Sequence, residues 1–267
     1  MMNYIVTLLP GTGIGASFIG IIGALYYLKE NNIDTVLLIN YFFAAEPVKE
    51  FIKSFLDKDN IIIVKFVSIC DNYYKKIYTI GDKYKELCFV EETISICYKL
   101  QSSEIDFTIF IDLFNKIWIL KPFIEEECIK LETYDICINI RRGDKLTLES
   151  HIPIASIDSY INEIEKLNLK KPNIFHTSDD YDSFLEIQNK KIDWKLSTLC
   201  STEEKGYFLS ELNKQNSDYN FKHVNKFMKQ LHIMKNSEYF IGTLSTNVGF
   251  IVQLLRQIRN DNKNVYI

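Results

Sequence analysis

What most constrains this chain is the order of its apolar runs, because short strand-like stretches alternate with longer stretches whose apolar residues recur at helical spacing. Tyr4 to Leu9 is a strand run, PGTGIG from Pro10 to Gly15 is a compact turn, and Ala16 to Glu30 reads as a helix. Thr35 to Asn40 gives a second buried strand. A helix opening at Pro47, a suitable first-turn residue, puts Val48, Phe51, Ile52, Phe55 and Leu56 on one face before the strand Ile61 to Val67. Residues 71 to 130 blur into aromatic and mixed helical pieces, and Pro122 with the acidic run Glu125 to Glu127 marks a junction. Alternation then resumes with strand Ile136 to Ile140, helix Ser156 to Leu167, strand Asn173 to His176, a helix from Tyr181 and strand Trp194 to Leu196. Helix Val224 to Asn236, strand Tyr239 to Gly242 and helix Asn247 to Ile258 follow. Such an order makes strands pair in parallel under covering helices, so the expected class is α/β, with two doubly wound halves over residues 1–130 and 131–267.

Several functions are disfavoured by content alone. A formal charge of -4 gives no basic field for nucleic acid or an anionic membrane, so a bound anion must meet a local cluster. The six cysteines are scattered without a CxxC pair, as expected of reduced thiols in a cytoplasmic protein. The four histidines show no ligand spacing, so no metal site is expected. Nothing from Met1 to Leu28 is charged, which could describe a membrane span, but Pro10 and five glycines interrupt the stretch and no basic residue precedes it. Strand, turn and helix is the expectation there, with no transmembrane segment.

In open parallel sheets ligands sit beyond the carboxyl ends of the strands. Three unusual stretches fall at that edge: ICINIRRGDK (136–145), FHTSDD (175–180) and IGTLSTN (241–247). Strand alternation sends Asn139 and Arg141 to one face and Ile138, Ile140 and Arg142 to the other. Arg141 is the expected phosphate ligand, since a guanidinium grips two phosphate oxygens as a fork and stays charged when partly buried. For either arginine the alternative is pairing with Asp144 or a nearby carboxylate to close the strand end. Ser245 and Thr246 place hydroxyls beside the unpartnered N–H groups that open the last helix, where anions settle, although ordinary capping accounts for the same pattern. Asp179 and Asp180 either cap the following helix or reach a sugar or acceptor hydroxyl. PGTGIG invites a dinucleotide reading, but the second strand ends in Asn40 where a ribose-binding acid is expected.

Together these residues resemble a known family. INIRRGDK followed by Glu149, then SYI at 159–161, HTSDD and GTLSTN, is similar to the GDP-fucose-dependent α-1,6-fucosyltransferases, their rhizobial Nod-factor relatives, and the wider α-1,2- and protein O-fucosyltransferase superfamily. The resemblance implies a GT-B-like fold of two Rossmann-type halves facing a central cleft, with the acceptor side in residues 1–130 and the nucleotide sugar in 131–267. It implies that Arg141 binds the diphosphate beside Arg142, that Ser245 and Thr246 receive it, and that Asp144 holds the loop. Glu149 would be the catalytic base with Lys145 near it, Asp179 and Asp180 would shape the sugar or acceptor pocket, and Gly13 would approach the nucleotide. Where the family has a histidine and an acid in its guanine pocket, this chain has Asn139 and Gln230. The implied reaction is inverting transfer of L-fucose from GDP-fucose to a glycan hydroxyl, without a metal or other cofactor. Transfer of a different nucleotide-linked sugar, a nucleotide-binding relative without turnover, and an NAD-dependent oxidoreductase are the other readings.

Overall fold

The structure is a computed structural model that describes residues 3–8, 11–33, 37–40, 44–55, 62–64, 78–80, 84–87, 107–143, 155–244, 246–257 and 263–267. The chain divides into two compact units, Met1–Pro122 with Leu212–Phe221, and Phe123–Glu211 with Lys222–Ile267.

The first unit is built on β1 (Asn3–Thr7), α1 (Ile14–Glu30), β2 (Leu37–Asn40), α2 (Glu46–Ser54), β3 (Ile62–Val64), β4 (Tyr78–Ile80), β5 (Tyr84–Leu87) and α3 (Phe107–Ile117). Its sheet runs β3-β2-β1-β5-β4, parallel except for the antiparallel pair of β4 with β5. The antiparallel hairpin falls in the stretch where no clear period was legible. Burial explains the uncharged N-terminus: α1 packs against β1 and β2 on one side and α2 and α3 on the other, so it is hydrophobic nearly all round. Phe18 anchors it, edge-on to Phe114 at 5.3 Å, to Trp118 at 4.9 Å and to Phe51 at 6.2 Å. Among the described residues no helix is long and apolar enough to cross a membrane. Pro47 occupies the first turn of α2, as its missing N–H permits.

The second unit contains α4 (Pro122–Ile129), β6 (Ile136–Ile140), α5 (Ile157–Lys166), β7 (Asn173–Ser178), α6 (Tyr181–Lys190), β8 (Lys195–Thr198), α7 (Leu209–Leu212), α8 (Ser217–Asn236), β9 (Tyr239–Gly242), α9 (Asn247–Gln257) and β10 (Asn264–Tyr266). Pro122 lies at the division, and residues 217–221 of α8 belong with the first unit. The five-stranded sheet is wholly parallel, in the order β10-β9-β6-β7-β8. Its centre is β6, where Ile138 and Ile140 pack with Ile157, Tyr160, Ile161 and Ile164 of α5. Each such side chain contributes about 1.5–3 kcal/mol by leaving water. Cys128 and Cys200 are buried free thiols that burial pushes up to about 11 and about 12, so they pack as small hydrophobes rather than react.

Strand order fixes where a site can form. From β6 the chain builds outward through β7 and β8, then returns on the other side of β6 as β9 and β10. The reversal falls between β6 and β9, and connecting loops leave a crevice at the carboxyl ends of strands at such a point.

Candidate functional site

Two loops flank that crevice. Arg141, Arg142 and Gly143 leave β6, and Thr243 onward leaves β9, with the strands paired at Ile136↔Tyr239, Cys137↔Phe240 and Ile138↔Ile241. Alternation persists past the strand end. Arg142 lies on the α5 face, where its charge acts on Tyr160, whose phenol burial pushes up to about 12, and on His176, which burial holds down to about 3. The Tyr160 hydroxyl donates to the Asn139 carbonyl at 3.1 Å. Arg141 lies on the opposite face.

Asp179, the first residue after β7, joins these elements. Its Oδ2 pairs with Arg141 Nη1 and accepts the Tyr207 N–H at 3.0 Å, while its Oδ1 accepts the Arg142 N–H at 2.8 Å. Its carbonyl accepts the Gly206 N–H at 2.8 Å. The loop from Glu204 to Tyr207 is thereby laid against residues 179–181, with Tyr181 N–H on Glu204 O at 2.9 Å and a bridge between Asp180 and Lys205. Two glycines let the loops touch: Gly143 at φ +54 would put a Cβ 2.5 Å from Tyr207 N, and Gly206 at φ +113 would put one 2.6 Å from Gly143 Cα. Arg141 is then held on two sides, by Asp179 at its edge and by the Tyr207 ring, whose centroid is 4.8 Å from Cζ. The Tyr207 ring also meets His223 of α8 at 5.5 Å.

The start of α9 is built from its own residues. Thr246 Oγ1 accepts the Gly249 N–H at 3.0 Å and donates to Thr243 O at 3.1 Å, which makes Thr246 the N-cap. Gly249 is obligatory there, since a Cβ would stand 2.0 Å from Thr243 O. Asp180 caps α6, accepting the Asp182 N–H at 3.1 Å. Asn139 Nδ2 donates to Thr177 Oγ1 at 2.9 Å, and that hydroxyl donates to Ile138 O at 2.9 Å. One face of α8 reaches the same strand tips, with Met234 Sδ 3.9 Å from Thr177 Oγ1 and His223 against Tyr207. Gln230 lies between them at helical spacing, 7% exposed, its amide nitrogen without a hydrogen-bond partner among the described residues.

Arg141, Asn139, Asp179 and Gln230 therefore converge on one edge of the second sheet, with Arg142 on its other face and Thr246 at the adjoining helix start. Gly13 caps α1 in the first unit through its backbone. Asp144, Lys145, Glu149 and Ser245 lie outside the described residues. Among the described residues no three His, Cys, Asp or Glu side chains gather as metal ligands. Sequence reasoning missed Tyr207, Gly206 and His223; a glycine followed by an aromatic was the only signal the first two carried, and His223 carried none. Chemically, a guanidinium of fixed orientation beside a helix start suits a phosphorylated anion.

No family model matches the chain, and no curated protein matches it in sequence. Its fold is similar to that of several solved fucosyltransferases. NodZ alpha-1,6-fucosyltransferase soaked with GDP-fucose aligns at TM-score 0.56 and 10% identity over 96% of this chain and 93% of that one. Fucosyltransferase NodZ from Bradyrhizobium aligns at 0.59 and 11% over 96% and 94%. POFUT1 in complex with GDP aligns at 0.52 and 11% over 99% and 98%. At these identities the likeness is one of fold.

Proposed function

We propose that this protein is a glycosyltransferase that moves L-fucose from GDP-fucose to a glycan hydroxyl, with inversion and without a metal, in the manner of the α-1,6-linking enzymes. Residues 131–267 hold the donor and residues 1–130 form the acceptor side, as two GT-B-like halves. The observation that carries the reading is Arg141, set by Asp179 and Tyr207 at the tip of β6, the neighbour of β9, which leads into α9. The likeness in fold to GDP-bound fucosyltransferases supports it.

In this reading the Arg141 fork takes the leaving diphosphate, assisted by the α9 start with Ser245 and Thr246, while Arg142 holds Asp179 through its backbone N–H. The acceptor oxygen attacks the anomeric carbon, the bond to the β-phosphate breaks, and GDP leaves with the electron pair. Glu149 takes the acceptor proton, with Lys145 and Asp144 placing it; an unperturbed glutamate of pKa about 4.3 is a weak base, so its surroundings must raise that value. A donor with a different base is the second reading, favoured by the commitment of Asn139 to Thr177 and by an amide at Gln230.

Thermal unfolding with GDP, UDP or NAD in excess EDTA tests this. GDP at a hundredfold over Kd should stabilise the protein by about 2.7 kcal/mol, and Arg141→Ala should cut that shift sharply, leaving only weak binding, while remaining folded. A shift with UDP alone would move the donor to the second reading. A shift with NAD alone would end the transferase proposal.

A further inference from the structure

We infer that Tyr207 is a positioning residue for donor binding, acting through Arg141 rather than by touching the nucleotide; this rests on the proposed diphosphate role of Arg141. An arginine side chain has many rotamers, and a flexible cation binds a diphosphate less well than a fixed one because its freedom is lost on binding. Asp179 restrains the guanidinium at one edge. The Tyr207 ring, 4.8 Å from Cζ, fixes the plane of the fork as well.

Tyr207 is itself immobilised from three directions. Its N–H is on Asp179 Oδ2 at 3.0 Å, its loop is pinned at Gly206 by the Asp179 carbonyl at 2.8 Å, and its ring lies 5.5 Å from His223. Burial, then Lys226, pushes His223 down to about 4, with Glu204 opposing and Arg141 adding to the depression, so that imidazole stays uncharged at neutral pH. The ring thus contacts one cation, Arg141, and one neutral heterocycle, and its negative face favours the cation. The backbone contacts survive a change of side chain to leucine or phenylalanine; the ring contact survives only the second.

Calorimetric titration of GDP and of inorganic pyrophosphate into the full chain separates the possibilities. Tyr207→Leu should weaken both ligands by the same factor, about 3- to 10-fold, and Tyr207→Phe should restore wild-type affinity because the ring face is what acts. In an Arg141→Ala background, Tyr207→Leu should add no further loss. Unchanged affinity in Tyr207→Leu, or an undiminished loss in the Arg141→Ala background, overturns the inference. Loss for GDP with none for pyrophosphate also overturns it, by placing Tyr207 on the nucleoside. If the wild type binds pyrophosphate and not GDP, the nucleotide reading fails while the Tyr207 test still reads out; binding of neither removes both.

Discussion

Arg256 allows a stability prediction worked from the structure. It lies in α9, fully buried, and its guanidinium closes the end of α8. Nη1 donates to the carbonyls of Met234 at 2.9 Å and Ser237 at 2.8 Å, with a longer contact to Lys235 at 3.4 Å. Nη2 donates to Glu238 O at 3.0 Å and Lys263 O at 3.5 Å, and Nε donates to Asn264 Oδ1. The last carbonyls of a helix have no partner within it, and here the bonds to the Met234 and Ser237 carbonyls are buried. Arg256→Met keeps the length of the side chain and removes every donor. The carbonyls of Met234 and Ser237 then lose their short bonds, at about 1–3 kcal/mol for each buried acceptor left unmade, and the part-buried Glu238 carbonyl loses its own. Relief from burying a charge offsets part of this, and that relief amounts to several kcal/mol. The carbonyls belong to the backbone and cannot be removed with the charge, so the loss wins, at about 3 kcal/mol net. For a chain of this size that lowers Tm by roughly 6–12 °C. Urea and thermal melts followed by far-ultraviolet circular dichroism measure it. Arg256→Lys, with a point charge in place of the fork, should fall between the two. A methionine variant within about 1 kcal/mol of wild type would refute the reasoning, as would a lysine variant equal to arginine.

Two further outcomes are expected. Gly206→Ala should lose about 2–3 kcal/mol in urea melts and weaken GDP binding together, because φ +113 and the 2.6 Å approach to Gly143 Cα force the two loops apart; full stability in that variant would mean the loops do not need their contact. His176, held down to about 3 chiefly by burial, must stay neutral in the folded chain while its unfolded counterpart takes a proton near pH 6.5. A depressed histidine makes stability fall as pH drops below 6.5, so acidification from pH 7 to 5 should remove about 2 kcal/mol that a His176→Asn variant does not lose. The two pH slopes are compared by urea melts, and equal slopes would remove His176 from the acid response.

Much of the second unit was legible because local pattern and tertiary role agree there. Ile136 to Ile140 and Tyr239 to Gly242 were bounded as the structure has them, since an apolar run closed by charged or turn residues leaves little choice for a buried parallel strand. The helix at 217–236 was read short by its polar first two turns, which carry no apolar period of their own. The strands at 78–80 and 84–87 were not found at all, because an antiparallel hairpin in mixed sequence is specified by its partners and not by its own alternation. In the PGTGIG turn, Gly11 turns out to have open space where a Cβ would go, so its glycine is not demanded by packing.

The sequence by itself determined the α/β class, the parallel character of the strands after residue 130, and the opposite facing of Arg141 and Arg142, because each follows from periods of two or 3.6 residues within one element. Tertiary structure alone decided that β9 returns beside β6, that Asp179 gathers both loops, and that Tyr207 and His223 complete the flank of Arg141. Contacts between residues tens of positions apart depend on strand order and loop closure, and no local period encodes either.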